Sequence, residues 1–205
     1  WGIGGQVEYV LEGNLNYTGA SISWLKDQMK MISSASETEA LASAANPRDR
    51  AYFVPAFTGL GAPYWDPEAT GLLTGITRTT GRKEVVKACL ESIAYQITDL
   101  IEIMREETGD PVRTLHVDGG PTGNRYLMQF QADLADTCVL VPGLQELSGM
   151  GAAYLAGISC GVYPEKSIFD HIRTTSYQRK MEESERVHRY RGWKAAIDKA
   201  LRHDF

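Results

Sequence analysis

Residues 114–124 read TLHVDGGPTGN, and the class of fold turns on this junction. Thr114 to Asp118 carries apolar side chains at Leu115 and Val117, the alternation of a strand, and runs without a spacer into Gly119-Gly120-Pro121. A helix opens near Asn124, with Leu127, Phe130 and Leu134 on one face. Paired glycines at such a junction let the backbone turn sharply and let a ligand approach with no Cβ in the way. Free N–H groups at the first turn of the next helix, with the helix dipole, favour an anion such as phosphate. Asn124 can cap that helix or donate to a ligand from the same spot. A Gly-Gly turn between strand and helix is also common as plain structure. The stretch does not fit G-x-x-x-x-G-K-[ST], and G-x-G-x-x-G occurs nowhere in the chain.

Towards the C-terminus, Thr137 to Val141 reads as another short strand. Leu147 to Ile158 reads as a Gly- and Ala-rich helix that permits close backbone approach. The last helix, Glu183 to Leu201, puts Val187, Tyr190, Ile197 and Leu201 inward, and the charged run Glu182 to Arg191 reads as a solvated face. Towards the N-terminus lies the strongest helix, with Val86, Leu90, Ile93, Ile97, Leu100 and Met104 in one apolar seam. Thr80 is placed to cap it, Glu84 favours its first turn and Gly109 can end it. Strands are expected at Val7 to Glu12, Ala51 to Phe57 and Gly71 to Thr77. Ile22, Leu25, Met29 and Ile32 form a helical stripe within Thr18 to Ile32, and Ser33 to Arg50 reads as a short surface helix and a turn. Thr58 to Pro67, TGLGAPYWDP, holds too many Gly and Pro residues for a regular element; its Tyr64 and Trp65 either plug the gap between sheet and helices or offer a ligand an aromatic platform. Strands and helices alternate through the second half, so the class is α/β with a partly parallel sheet.

Composition narrows the function. The 205 residues carry a net charge of −5, which gives no sequence-independent attraction to nucleic acid or an anionic membrane. No apolar run approaches the roughly 20 residues of a membrane span, and no basic-then-apolar leader opens the chain. Cys89, Cys138 and Cys160 are too widely spaced for a metal cluster and read as buried thiols in a reducing cytosol. The chain starts at Trp1, as a processed protein or a piece of a longer one would.

Five blocks occur in order: PAFTGLGAPYWDP (Pro55 to Pro67), LESIAYQ (Leu90 to Gln96), VDGG with a following Asn (Val117 to Asn124), LMQFQAD (Leu127 to Asp133) and GAAYLAG (Gly151 to Gly157). Together they resemble the C-terminal half of the FGGY carbohydrate kinases, most closely the glycerol kinases, from about Val7 to the final helix. Gly71 to Glu91 is similar to that family's second signature, with Cys89 where a small or aliphatic residue is more usual.

The resemblance implies an actin-like, ribonuclease H-like α/β fold with a mixed sheet flanked by helices. It makes residues 1–205 the C-terminal nucleotide-binding domain, which faces an N-terminal substrate domain absent from this chain. It implies ATP/ADP and Mg²⁺ as cofactors, and phosphotransfer to a hydroxyl of a small polyol or sugar. Glycerol leads, with gluconate, xylulose or a tetritol as alternatives suggested by PTGN after Gly120 and by ELSGMG. The family's aspartate base lies upstream, so no catalytic residue and no metal ligand is assigned here. Carried over position by position, the nucleotide contacts are Gly19, Gly120 and Asn124, with Gly119 as a neighbour; Ser23 stands where glycerol kinases carry a glutamine contact. Asp118 either orients the turn or reaches the metal region through water. Ser148 and Gly149 are expected to start a helix behind the nucleotide loop. The resemblance further implies a cytoplasmic enzyme, often a homo-oligomer, and a chain that is inactive in isolation. A non-catalytic nucleotide-binding module and an actin-like assembly protein are the alternatives from other classes.

Overall fold

The computed structural model describes residues 2–3, 6–7, 9–143, 147–164 and 172–202. Strands β1 (Gly2–Ile3) and β2 (Gln6–Val7) pair antiparallel, and helices α1 (Gly19–Asp27) and α2 (Glu37–Ser43) follow. Strands β3 (Tyr52–Val54) and β4 (Leu72–Thr74) form a second antiparallel pair with Phe53 opposite Leu73. Next come α3 (Arg82–Thr108), β5 (Thr114–His116), a 3-10 turn (Gly120–Gly123), α4 (Arg125–Ala135) and β6 (Cys138–Pro142). The chain then forms α5 (Leu147–Ser159), β7 (Thr174–Tyr177) and α6 (Glu183–Ala200). β5 runs parallel to β6, with Leu115 beside Val139, and β7 runs antiparallel on the other side of β6. The expected partly parallel sheet is therefore a mixed one.

α3 is the centre of the molecule. Glu84 Oε2 accepts from the Gly81 amide at the helix start (2.9 Å) while Oε1 accepts from the Asn46 amide (2.9 Å), so one side chain both caps α3 and fixes the loop after α2. Gly109, at φ 70°, ends the helix in the left-handed conformation that glycine enters without a Cβ penalty. Thr80 does not cap it: its hydroxyl donates to Asp49 (2.7 Å). Val86, Leu90 and Ile93 are buried as the seam requires. The LESIAYQ block supplies the rest of the packing: Tyr95 stacks on Trp193 (5.1 Å between centroids, planes at 8°) and meets Phe130 edge-on (5.5 Å). Glu91, buried, accepts from Tyr126 (2.6 Å) and Lys87 (3.1 Å) and faces Arg189 (3.5 Å). A buried carboxylate needs such partners, and Tyr126 and Arg189 join α3 to α4 and α6.

Several expected elements differ. Residues 9–12 form no strand, and Tyr9, Val10 and Leu11 are exposed. The first helix stops at Asp27, so Met29 leaves the stripe and is exposed, while Leu25 and Ile32 are buried. α2 is less of a surface helix than its composition suggests, because Thr38 and Ala42 are buried. α6 turns Arg189, Trp193, Ala196, Ile197 and Ala200 inward, whereas Val187 is exposed; the charged run is solvated on one side only, since Arg189 lies against Glu91 and Glu185. None of α5 is buried, and the close approach at Gly157 comes from the Tyr163 ring instead of a backbone. Of the thiols, Cys89 is buried and pushed well above its ordinary pKa by that burial; Cys138 is half-buried and Cys160 exposed.

Candidate functional site

A cavity of about 770 Å³ opens between α1, α2, α3, the 3-10 turn and α4. Ile22, Leu90, Ile93 and Leu127 give it an apolar floor, and three of these, Leu90, Ile93 and Leu127, also belong to the core. Its rim carries Gly19 and Ser23 from α1, Thr38 and Glu39 from α2, Gly120 from the turn, and Asn124. Four of the five residues expected from the sequence, Gly19, Ser23, Gly120 and Asn124, are thus brought together from two segments about a hundred residues apart. The fifth, Gly119, precedes Gly120 in the turn without lining the cavity.

Gly119 adopts φ 92° and ψ 175°, a region open essentially to glycine alone. Its carbonyl accepts from the Thr122 amide (3.1 Å) and hydroxyl (2.7 Å), closing the turn. Gly120 precedes Pro121, whose ring disfavours a helical conformation in any preceding residue with a Cβ. A Cβ added at Gly19, Gly120 or Gly123 would meet nothing within 4 Å. The turn is exposed, and the amides of Gly119 and Gly120 donate to no group among the described residues.

Asn124 is the N-cap of α4: its Oδ1 accepts from the Leu127 amide (3.0 Å), while its Nδ2 donates across the cavity rim to Thr38 Oγ1 (3.0 Å). Thr38 in turn donates to the Ala35 carbonyl (2.7 Å). Asp118 Oδ2 accepts from the Leu147 amide (2.9 Å), so the turn is tied to the first residue of α5. Ser148 and Gly149 start that helix but do not line the cavity, and Gln145 and Glu146 lie outside the described residues. Tyr64 and Trp65 are also absent from the lining. Tyr64 is a packing residue, its hydroxyl donating to the buried Asp99 (2.8 Å), which also accepts from Tyr190 (2.6 Å) and Trp193 (2.8 Å). Trp65 plugs nothing and is 76% exposed.

Thr38 and Glu39 escaped the sequence reading, because a small polar helix carries no motif that separates a rim from a surface. Glu39 accepts from Arg125 at the start of α4 through the backbone amide (2.8 Å) and Nε (3.0 Å). The cavity therefore has an apolar floor for a ring, bare amides for an anion in the adjoining turn, and a carboxylate already engaged by a cation at the rim. Among the described residues there is no group of three or more His, Cys, Asp or Glu side chains that would hold a metal ion. Among the described residues no helix is long and apolar enough to cross a membrane.

Residues 2–160 match the model of the FGGY family of carbohydrate kinases, C-terminal domain. Glycerol kinase 2 of Thermotoga maritima is 46% identical over 205 residues, covering 98% of this chain and 41% of that protein. The glycerol kinase of Bacillus licheniformis is 44% identical over 202 residues, again 98% of this chain and 41% of the relative. The chain thus spans about two-fifths of the length of these relatives. Among solved structures, Plasmodium falciparum glycerol kinase with ADP superposes with a TM-score of 0.82 at 30% identity, over 91% of this chain and 37% of that one. Xylulose kinase from Lactobacillus acidophilus superposes with a TM-score of 0.74 at 21% identity, over 91% of this chain and 39% of that one, a likeness of fold alone.

Proposed function

The chain belongs to the FGGY family of carbohydrate kinases, and on that premise we propose that residues 1–205 are the nucleotide half of an ATP-dependent kinase that phosphorylates a small polyol, glycerol first among them. The observation that carries this reading is the cavity on which Gly19, Ser23, Gly120 and Asn124 converge beside the bare amides of Gly119 and Gly120. Its size lies within the range of small-molecule sites. An adenine ring suits the floor of Ile22, Leu90, Ile93 and Leu127, and a phosphate chain suits the turn, where unpaired N–H groups lose no existing partner on meeting an anion. The relatives named glycerol kinase, at 46% and 44% identity, favour glycerol as acceptor.

Phosphoryl transfer is largely positioning and charge stabilisation. This half would supply the positioning of the nucleotide; the acceptor pocket and the base that takes its hydroxyl proton would belong to an N-terminal domain in the longer protein. Mg²⁺ bound to the nucleotide's phosphates would supply neutralisation of their charge. The same reading makes the enzyme cytoplasmic and the 205-residue chain alone unable to turn over.

A thermal-shift titration with ADP tests it. Saturation to about 100 times Kd adds about 2.7 kcal/mol, which for a domain of this size raises Tm by roughly 5–10 °C. Gly19→Leu fills open space at the rim, so the variant folds with an unchanged baseline Tm and loses the ADP-dependent rise. No rise in the wild-type chain, or an undiminished one in Gly19→Leu, refutes the assignment.

A further inference from the structure

We propose that Glu39 is a positioning residue that closes the N-terminus of α4 to anions and so leaves the Gly119–Gly120 turn as the place where a polyphosphate binds; the nucleotide part of this inference rests on the reading above. A helix start ordinarily attracts phosphate through its unpaired amides and its dipole. Here that attraction is spoken for. Glu39 takes the first amide of α4, that of Arg125 (2.8 Å), and the same carboxylate holds the Arg125 guanidinium through Nε (3.0 Å) and a second nitrogen (3.0 Å). Asn124 takes the Leu127 amide two residues on.

The arrangement is directional. Glu39 lines the cavity, with its side chain 27% exposed, whereas the Arg125 side chain is 79% exposed and does not line it. What a ligand meets on this rim is therefore a carboxylate, with the guanidinium drawn behind it. In the turn that precedes Asn124 the amides of Gly119 and Gly120 donate to no group among the described residues, and a Cβ added at Gly120 would meet nothing within 4 Å. Asn124 and Thr38 hold α2 against α4 independently of the charge (3.0 Å), so neutralising Glu39 need not let the rim fall apart. A carboxylate that faces the cavity at the start of α4, beside unpaired amides in the turn, favours phosphates at Gly119 and Gly120 over the first turn of α4.

Calorimetric titration of the 205-residue chain with inorganic tripolyphosphate, ADP and adenosine, at low and high salt, separates this from a structural role. Glu39→Gln is expected to bind tripolyphosphate and ADP about five- to tenfold more tightly at low salt, because a repelling charge is removed and Arg125 is released. Adenosine affinity stays level, the gain shrinks at high salt, and Glu39→Asp, which keeps the charge, behaves as wild type. Equal losses for ADP and adenosine in Glu39→Gln, or an unchanged ratio between them, overturn the proposal. If the wild-type chain binds no adenine compound, the nucleotide reading fails by itself; a salt-sensitive gain in tripolyphosphate binding by Glu39→Gln then still upholds the gate, and no gain ends it.

Discussion

Asn124→Ala removes two bonds from one side chain, and the two can be weighed separately. Losing the N-cap of α4, the bond from the Leu127 amide, costs about 1 kcal/mol. Losing the bond to Thr38 costs about 1 kcal/mol more, since Thr38 is buried but keeps its own donor bond to Ala35. The sum, roughly 2 kcal/mol, corresponds to a fall of about 4–8 °C in Tm for a domain of this length. Asn124→Asp should lie between the two: aspartate caps as well as asparagine, but its second oxygen faces Thr38 Oγ1 with no proton to give. Urea denaturation of the three proteins measures this, with ADP titrations read against each variant's own baseline. Asn124→Ala unfolding at the wild-type midpoint would refute the claim that this side chain clasps α2 to α4. An Asn124→Asp midpoint equal to that of alanine would show that the cap contributes nothing.

Asp99→Asn should cost about 2–4 kcal/mol, because the new amide NH₂ then faces either the Tyr64 and Trp193 donors or those of Tyr190 and Lys194, and the Lys194 ion pair is lost; an unchanged urea midpoint contradicts this. Glu84 is held below the usual carboxylate range first by the Asn46 amide and also by that of Gly81, so its contribution is present at neutral pH and lost as pH falls through its folded value. Glu84→Gln should therefore lower stability at pH 7 and flatten the acid side of the stability profile; a parallel profile would deny it. Gly192→Ala would place a Cβ 2.2 Å from Tyr52 Oη, and overpacking of about 1–3 kcal/mol should outweigh the better helix propensity of alanine. A raised Tm would show that Tyr52 yields freely.

Most of the fold could be read from periodicity. The seam from Val86 to Met104, the strand before Gly119 and the helix after Asn124 were all legible, because burial imposes a period of 3.6 or 2 on the chain. β7 was missed: a four-residue strand such as Thr174–Tyr177, mostly exposed, leaves almost no alternation to see, and its pairing with β6 is set in three dimensions. The N-terminal stretch failed in the opposite way, since Tyr9, Val10 and Leu11 have strand-forming side chains and no partner strand among the described residues. α6 buries Arg189 and Trp193 where its apolar spacing points to Val187 and Tyr190, and Arg189 becomes interior only through Glu91, almost a hundred residues earlier. The cavity rim was half legible. Glycines at sharp junctions advertise themselves, whereas Thr38 and Glu39 depend on where α2 lands.

The blocks that carry the family resemblance are mostly structural. Glu91 and Tyr95 of LESIAYQ tie α3 to α4 and α6, and Asp133 of LMQFQAD accepts from the Lys180 (2.6 Å) and Met181 (3.1 Å) amides, anchoring the exit from β7. Tyr64 of GAPYWDP reaches Asp99 on α3. Three of these anchors, through Glu91, Tyr95 and Asp99, meet on the same helix, α3, whose Leu90 and Ile93 form part of the cavity floor. A ligand in the cavity would thus rest on side chains that cannot shift without disturbing the core, and close packing transmits such a shift as strain. The rim, by contrast, is held by a few side-chain hydrogen bonds from Asn124 and Glu39. Affinity should accordingly be governed by the rigid floor and orientation by the rim, so rim substitutions should redistribute binding among ADP, adenosine and polyphosphate, while floor substitutions should weaken every ring-bearing ligand together with the fold.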